Sequence, residues 1–194
     1  DPSWSRGLGD VYKRQLYNPE IIIEATPITD LMSESVLWMK VNFKGILDFI
    51  YGAVYIPCET SPFFNKDAFI ELENDVLELK VRYEKLPVML AGDINGHTGT
   101  AEDHIEGDDT VAELTGCEIL NSSNAIKCSD INPNCENARY SQDTHKLDKN
   151  GVGLLSFCKS TNFRIVNGRI GRDKCLGLST CHKTENPSVI DYLI

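Results

Sequence analysis

A carboxylate and a carboxamide stand two residues apart near the middle of the chain, in Gly92-Asp93-Ile94-Asn95-Gly96. If this segment ends a strand, side chains at that spacing project from one face, roughly 7 Å from each other. Hydrolysis of a phosphodiester needs a base or a metal ion to generate hydroxide, and a neutral donor to hold the phosphate oxygens. Asp93 and Asn95 are of the types that supply these functions. Glycines on both sides leave room for a phosphate to approach the backbone.

The same residues have a purely structural interpretation. Asn-Gly is a strong signal for a type I′ hairpin turn, and Asn95-Gly96 taken alone favours that turn. The choice between a turn and a phosphate site therefore depends on which other residues the fold brings to this point.

Hydrophobic periodicity predicts the elements that position this segment. Apolar residues at every second position predict a strand over Val36 to Phe43, and a turn at Lys44-Gly45 leads into a second strand over Ile46 to Ile56. The second strand is apolar on both faces in its later half, which is typical of a sheet covered on each side. Apolar residues at spacings of three and four predict an amphipathic helix from Phe69 to Tyr83. A short strand over Pro87 to Asp93 follows.

The C-terminal half has a weaker pattern. Long loops and short helices are expected between Gly99 and Asn150, and a short helix near Leu154 leads into a predicted strand over Phe163 to Val166. The segment Ser188 to Ile194 predicts a buried strand that carries one carboxylate, Asp191. This order of elements is typical of a mixed α/β domain.

Length and charge limit the class of protein. A chain of 194 residues with 41% hydrophobic content suits one globular domain. With 29 acidic and 19 basic residues the net charge is −10, a poor match to a protein that holds nucleic acid by charge alone. DNA binding would need a local basic patch or bridging metal ions, and acidic clusters suit divalent cations. No apolar run approaches the roughly 20 residues of a membrane span.

Two further features concern the chain's origin. Its seven cysteines are odd in number and contain no C-x-x-C pair, which favours reduced thiols in an intracellular protein over a disulfide-bonded, secreted one. Residues 1–15 show no apolar periodicity and resemble translated sequencing-adapter DNA, so we expect a non-native or disordered leader there. A flexible natural leader is the alternative.

Three motifs occur in a fixed order along the chain: Tyr55-Ile56-Pro57, then Gly92-Asp93-Ile94-Asn95 after the predicted helix, then Ile190-Asp191-Tyr192. In this order they resemble the endonuclease/exonuclease/phosphatase superfamily, and the resemblance covers essentially all of the chain from Tyr17 onward. Three ordered motifs are more specific than any one of them.

A closer resemblance is to the endonuclease domains of non-LTR retrotransposons, which nick target DNA to prime reverse transcription. It rests on four stretches, namely Gly92 to Gly99, Arg139-x-Ser141-x-Asp143, Ile165 to Arg169, and Ser188 to Tyr192. The resemblance implies an α/β fold, a four-layer α/β/β/α sandwich of the deoxyribonuclease-like type. Residues 16–194 would form a partial domain, incomplete at both termini.

The resemblance also assigns roles. Asp93 matches the aspartate that activates water or contacts the metal, which would be Mg²⁺ (or Mn²⁺), and Asn95 matches the residue that holds the phosphate. Tyr55 would contact the phosphate, although a sheet-filling aromatic is nearly as good an interpretation. Asp191 matches the aspartate that orients a catalytic histidine. Independently of the resemblance, Arg139, Arg169 and Arg172 are candidates for contacts to DNA phosphates, although isolated arginines are usually solvated surface residues.

This sequence departs from the family pattern at several points. The catalytic histidine belongs to a downstream S-D-H motif. The first-strand asparagine and the metal-binding glutamate belong upstream of Ile21, where no matching pair occurs. Glu24 is an acidic residue in roughly the right direction, but its context does not fit. None of the histidines matches, and His97 is interpreted as a polar loop residue. The acidic run at Glu102, Asp103, Glu106, Asp108 and Asp109 is expected to be an exposed loop.

We therefore expect a fragment of a metal-dependent, DNA-nicking endonuclease whose parent element works in the nucleus, with the fragment itself inactive. Two alternatives remain open. One is a non-catalytic retroelement remnant or binding module, and the other is a phosphatase of the same superfamily that acts on lipids or inositol phosphates.

Overall fold

The computed structural model describes residues 22–43, 47–104, 139–182 and 186–194. Within them the strands are β1 (Ile22–Pro27), β2 (Val36–Phe43), β3 (Leu47–Tyr55), β4 (Val88–Asp93) and β5 (Asp191–Leu193). The helices are α1 (Ala68–Arg82) and α2 (Lys149–Thr161), with single 3₁₀ turns at Thr29–Leu31 and Gly171–Asp173. The leader, the Lys44-Gly45 turn and most of the weakly patterned segment lie outside the described residues.

One mixed sheet organises these elements, with the strands in the order β1-β2-β3-β4-β5. The first three pair antiparallel, β3 pairs parallel with β4, and β4 pairs antiparallel with β5. A parallel pair needs a crossover connection, and α1 supplies it between β3 and β4. The mixed α/β class predicted from the sequence is therefore confirmed.

Both helices pack against one face of this sheet. Trp38, Gly52 and Leu90 lie side by side on β2, β3 and β4, and a Cβ at Gly52 would come within 2.6 Å of atoms of both neighbours. The Trp38 indole also donates a hydrogen bond of 2.9 Å to Asp75 of α1. Buried residues of α1 and α2 join this core, among them Leu72, Val76, Leu79, Leu154 and Phe157.

The opposite face of the sheet is only half covered by the described residues. Period-two alternation places Leu37, Met39, Phe49, Tyr51, Met89 and Leu193 there, each of them partly exposed. The prediction that β3 is covered on both faces therefore holds on the helix side alone in this part of the chain. The described residues form two layers, a sheet and a pair of helices.

The segment before β5 differs from the sequence prediction. The helix near Leu154 is longer than expected, because Asp148 caps it by accepting a 2.7 Å hydrogen bond from the Gly151 N–H. The predicted strand over 163–166 does not form. One backbone hydrogen bond joins this segment to β5, from the Val166 N–H to the Leu193 carbonyl (2.7 Å). Side chains accept the others: the Ile165 N–H donates to Asp103 (2.8 Å), and the Leu193 N–H donates to Asn167 (2.9 Å).

The described residues bear on two expectations from composition, namely that the chain has no membrane span and that its cysteines are reduced. None of the helices in the described ranges is both long and apolar enough to cross a membrane. Cys58, Cys158 and Cys181 carry free thiols.

Candidate functional site

Three of the predicted site residues form a single row across the sheet. The parallel register pairs Tyr55 of β3 with Asp93 of β4, and the antiparallel register pairs Asp93 with Asp191 of β5. Residues paired directly across neighbouring strands point to the same face, with Cβ atoms roughly 4.5–5.5 Å apart. Side chains from widely separated parts of the chain thus meet on the half-covered face, and we call Tyr55, Asp93 and Asp191 the cross-strand row.

Within the row, the pKa of Asp93 is shifted by its surroundings. Burial raises the pKa of Asp93 above its ordinary value, and the negative charge of Asp191 raises that pKa further. The Asn95 N–H donates a hydrogen bond of 2.9 Å to Asp93 and offsets part of the rise. Asp191 itself is exposed. A pair of adjacent carboxylates on an accessible face creates a local negative potential that attracts a cation.

Asn95 lies directly beyond the row, in a left-handed conformation with φ of 48°. Its side-chain amide donates to the Ile56 carbonyl at 3.0 Å, which ties the end of β4 to the end of β3. No hairpin forms here, because β4 pairs with the distant β5 rather than with the segment that follows Asn95. The turn interpretation of Asn95-Gly96 is therefore wrong for this chain.

The two flanking glycines are required for packing, not for an approaching phosphate. A Cβ at Gly92 would lie 1.8 Å from the Val54 carbonyl oxygen, and one at Gly96 would lie 2.7 Å from the Gly151 nitrogen. Strand β3 and the start of α2 therefore occupy the space that the sequence interpretation reserved for a ligand.

Asn150 is an organising residue that no sequence pattern singled out. This buried amide stands in the first turn of α2, and its nitrogen lies 3.0–3.1 Å from the carbonyl oxygens of Pro57, Ile94 and Asn95. It joins α2 to the loops that follow β3 and β4. The position of Asn95 beside the row thus depends on Asn150.

Replacing Asn150 by aspartate should reduce the free energy of unfolding by about 2–3 kcal/mol at neutral pH, because an acceptor-only carboxylate would face three carbonyl oxygens. Urea unfolding followed by circular dichroism measures the change. Gln142→Glu makes the same chemical change at an exposed loop position and should shift stability by less than about 0.5 kcal/mol. Equal stability of the two variants would contradict the role assigned to Asn150.

Two of the arginines proposed for DNA contact have partners inside the protein. Arg139 is 6% exposed and donates to the Thr98 hydroxyl at 2.9 Å and to the Ala101 carbonyl at 3.0 Å. Arg169 donates hydrogen bonds to both carboxylate oxygens of Asp103, at 2.5 and 2.8 Å. Contact of either arginine with DNA stays a prediction.

The acidic run contains one residue that the sequence interpretation misjudged. Asp103 was expected in an exposed loop, yet its side chain is fully buried because Arg169 neutralises it. Glu102 is exposed as expected, and the remaining acidic residues of the run lie outside the described residues.

Glu24 lies far from the cross-strand row. It is exposed on β1, where it pairs with Asn42, and Asn42 pairs with Asp48 near the start of β3. Tyr55 is at the other end of β3, roughly 23 Å away at 3.3 Å per residue. Glu24 therefore does not belong to the row.

A second cluster lies in the loops beyond β4, and it includes His97, which the sequence analysis interpreted as a polar loop residue. Asp143 accepts hydrogen bonds of 2.8 Å from Nδ1 of His97 and from Nδ1 of His145, and the two imidazole rings stack with centroids 4.5 Å apart. Burial raises the pKa of Asp143, but the hydrogen bonds from His97, His145 and the Val189 N–H outweigh it and leave the pKa below its ordinary value. The D-x-H spacing at Asp143 and His145 was a signal, but nothing in the sequence linked it to His97. We call these three residues the His-Asp-His cluster.

The chain was compared with protein families, with curated proteins and with solved structures. No protein-family profile and no curated protein matches the chain. Among solved structures, the endonuclease domain of TRAS1, a telomere-specific non-LTR retrotransposon, matches with a TM-score of 0.48 and 9% sequence identity. The match covers 88% of this chain and 52% of that chain, so this chain spans about half the length of the solved domain.

Proposed function

We propose that this chain is part of a divalent-metal-dependent phosphodiesterase, and specifically of a DNA-nicking endonuclease domain of a retrotransposon polyprotein. The observation that carries the proposal is the cross-strand row, with Asn95 directly beyond it. The ordered sequence motifs required these residues to meet, and they lie next to one another although Tyr55 and Asp191 are far apart in sequence.

The groups of the row have complementary roles in phosphodiester hydrolysis. Asp93 accepts a proton from the attacking water or helps to hold the metal ion, and its raised pKa suits a group that takes up a proton. Tyr55 offers a hydroxyl donor to a phosphate oxygen. Asn95 is the neutral donor for a phosphate oxygen, and hydrogen bonds to the Ile56 carbonyl and to Asp93 hold its side-chain amide beside the row. Asp191 would orient the histidine of the downstream S-D-H motif, which would protonate the leaving group.

A cation is needed because the substrate is an anion. Two neighbouring carboxylates would repel a phosphodiester in a chain whose net charge is already −10. Their oxygen atoms suit Mg²⁺ or Mn²⁺, with Asp93 as the main ligand of this chain and Asp191 beside it. Such an ion, when bound, would lower the pKa of its water and offset charge on the phosphate.

The complete domain is proposed to be a four-layer sandwich of the deoxyribonuclease-like type. The support is the half-covered face that carries both the row and partly exposed apolar side chains, including Leu37, Met39 and Tyr51. A second sheet packed there would bury them. The first-strand asparagine, the metal-binding glutamate and the S-D-H histidine would complete the site. The 194-residue chain alone is proposed to be inactive for lack of these groups, and the parent element to act in the nucleus.

Nicking of supercoiled plasmid tests the proposal. The domain, extended by the segments encoded on either side of it, should convert supercoiled DNA to open circles with Mg²⁺ or Mn²⁺ and stop when EDTA is added. Hydrolysis of inositol phosphates or phospholipids without nicking would replace the endonuclease by a phosphatase. A folded, extended domain that acts on none of these substrates would establish a non-catalytic remnant or binding module.

A further inference from the structure

The His-Asp-His cluster has a chemistry that the proposed phosphodiesterase does not use. Two imidazoles and one carboxylate converge from separate loop segments, and the candidate ligand atoms all lie within 4.8 Å of one another. Imidazole nitrogen and carboxylate oxygen are the donors with which proteins bind zinc and related transition metals. Magnesium prefers oxygen alone, so this cluster differs in kind from the cross-strand row.

The distances within the cluster are close to those of a metal site. With bonds of about 2.0–2.1 Å, neighbouring ligands of a tetrahedral ion lie roughly 3.3 Å apart. Each Nδ1 of His97 and His145 lies 2.8 Å from an Asp143 oxygen, so an outward movement of about half an ångström makes room for the ion. The imidazoles need not lose a proton, because a neutral ring can carry its hydrogen on Nε2 and leave Nδ1 free to bind.

The surroundings hold the ligands in place and leave one side open. The Asp143 side chain is fully buried and also accepts hydrogen bonds from the N–H groups of His145 and Val189. The His97 N–H is fixed by Asp148 at 3.0 Å. The two imidazole side chains are 23% and 34% exposed, so solvent reaches the cluster from their side. Three fixed protein ligands with an accessible fourth position are typical of zinc sites that keep a water molecule.

We propose that His97, Asp143 and His145 bind one divalent transition-metal ion of the zinc class, with water as the fourth ligand. The site is separate from the magnesium of the proposed phosphodiesterase and does not depend on that function. It adds a metal-binding capacity to the loops next to β5, since Asp143 also contacts the backbone at Val189.

Titration of the purified 194-residue chain with Zn²⁺, in competition with a colorimetric chelator, tests the site. One equivalent should bind at neutral pH in the presence of excess Mg²⁺. His97→Gln and His145→Gln should each weaken binding at least about tenfold. His182→Gln is the matched control, because His182 is exposed and outside the cluster, and it should bind as the unaltered chain does. Equal affinity of the double His97→Gln/His145→Gln variant and the control would overturn the proposal.

Two measurements on the unaltered chain identify the side chains that hold the metal ion. Zinc should shift the imidazole NMR signals of His97 and His145 and leave that of His182 unchanged, a result that no misfolded variant can imitate. Cobalt in place of zinc should give a visible spectrum without thiolate-to-metal charge transfer. A strong thiolate band would assign the metal to cysteines and refute the cluster as the site.

Discussion

Replacing Asp93 by asparagine in the extended domain should slow plasmid nicking by about 10²–10⁴-fold, the usual contribution of a positioned acid or base. The amide has the shape of the carboxylate, but it can neither accept a proton from water nor bring a negative charge to a metal ion. Initial rates of conversion from supercoiled to open-circular DNA, at saturating Mg²⁺, measure the effect.

Protein stability separates loss of chemistry from loss of fold in this variant. Because burial and Asp191 raise the pKa of Asp93, its ionised form destabilises the folded state at neutral pH. Asp93→Asn should therefore unfold at the same urea concentration as the unaltered domain or at a higher one. Asp48→Asn changes a carboxylate at the other end of β3 and should nick at the normal rate. Full activity of Asp93→Asn would remove Asp93 from the mechanism.

Replacing Asp103 by asparagine should reduce the free energy of unfolding by about 3–5 kcal/mol, the largest stability effect that we expect. The amide would leave the partly buried Arg169 without its two charge-assisted hydrogen bonds, and it would weaken the contact to the Ile165 N–H. Urea unfolding at neutral pH measures the loss. Glu102→Gln alters the adjacent but exposed carboxylate and should have an effect below about 0.5 kcal/mol.

The pair of Asp103 and Arg169 also predicts that the free energy of unfolding depends on pH. Burial alone would raise the pKa of Asp103, but Arg169 and the Ile165 N–H hold that pKa well below its ordinary value. A depressed folded-state pKa means that the stabilisation is complete above the unfolded-state pKa of about 3.9 and is lost as the pH falls below it. Asp103→Asn should therefore show a flatter decline of stability in acid than the unaltered chain. Parallel acid curves for the two proteins would contradict the proposed pair.

Local periodicity was sufficient to predict the elements whose side-chain pattern is contained within one segment of the chain. The predicted strand over Val36 to Phe43 has the bounds of β2, and the predicted helix matches α1 within a residue. These elements follow from side-chain alternation that each segment carries in itself. The prediction for 163–166 was wrong because the side chains of Asp103 and Asn167, which are not part of any local pattern, accept backbone N–H groups that a continuous ladder would use.

By itself the sequence determined the residue types that can act on a phosphodiester, the order of their motifs and the mixed α/β class. Only the tertiary structure decided strand register, and register is what brings Tyr55, Asp93 and Asp191 into one row. It also decided that Asp103 is buried and that His97 meets Asp143 and His145. The physical reason is that alternation specifies which side chains share a face of one strand, whereas contacts between distant segments depend on packing and charge pairing across the whole fold.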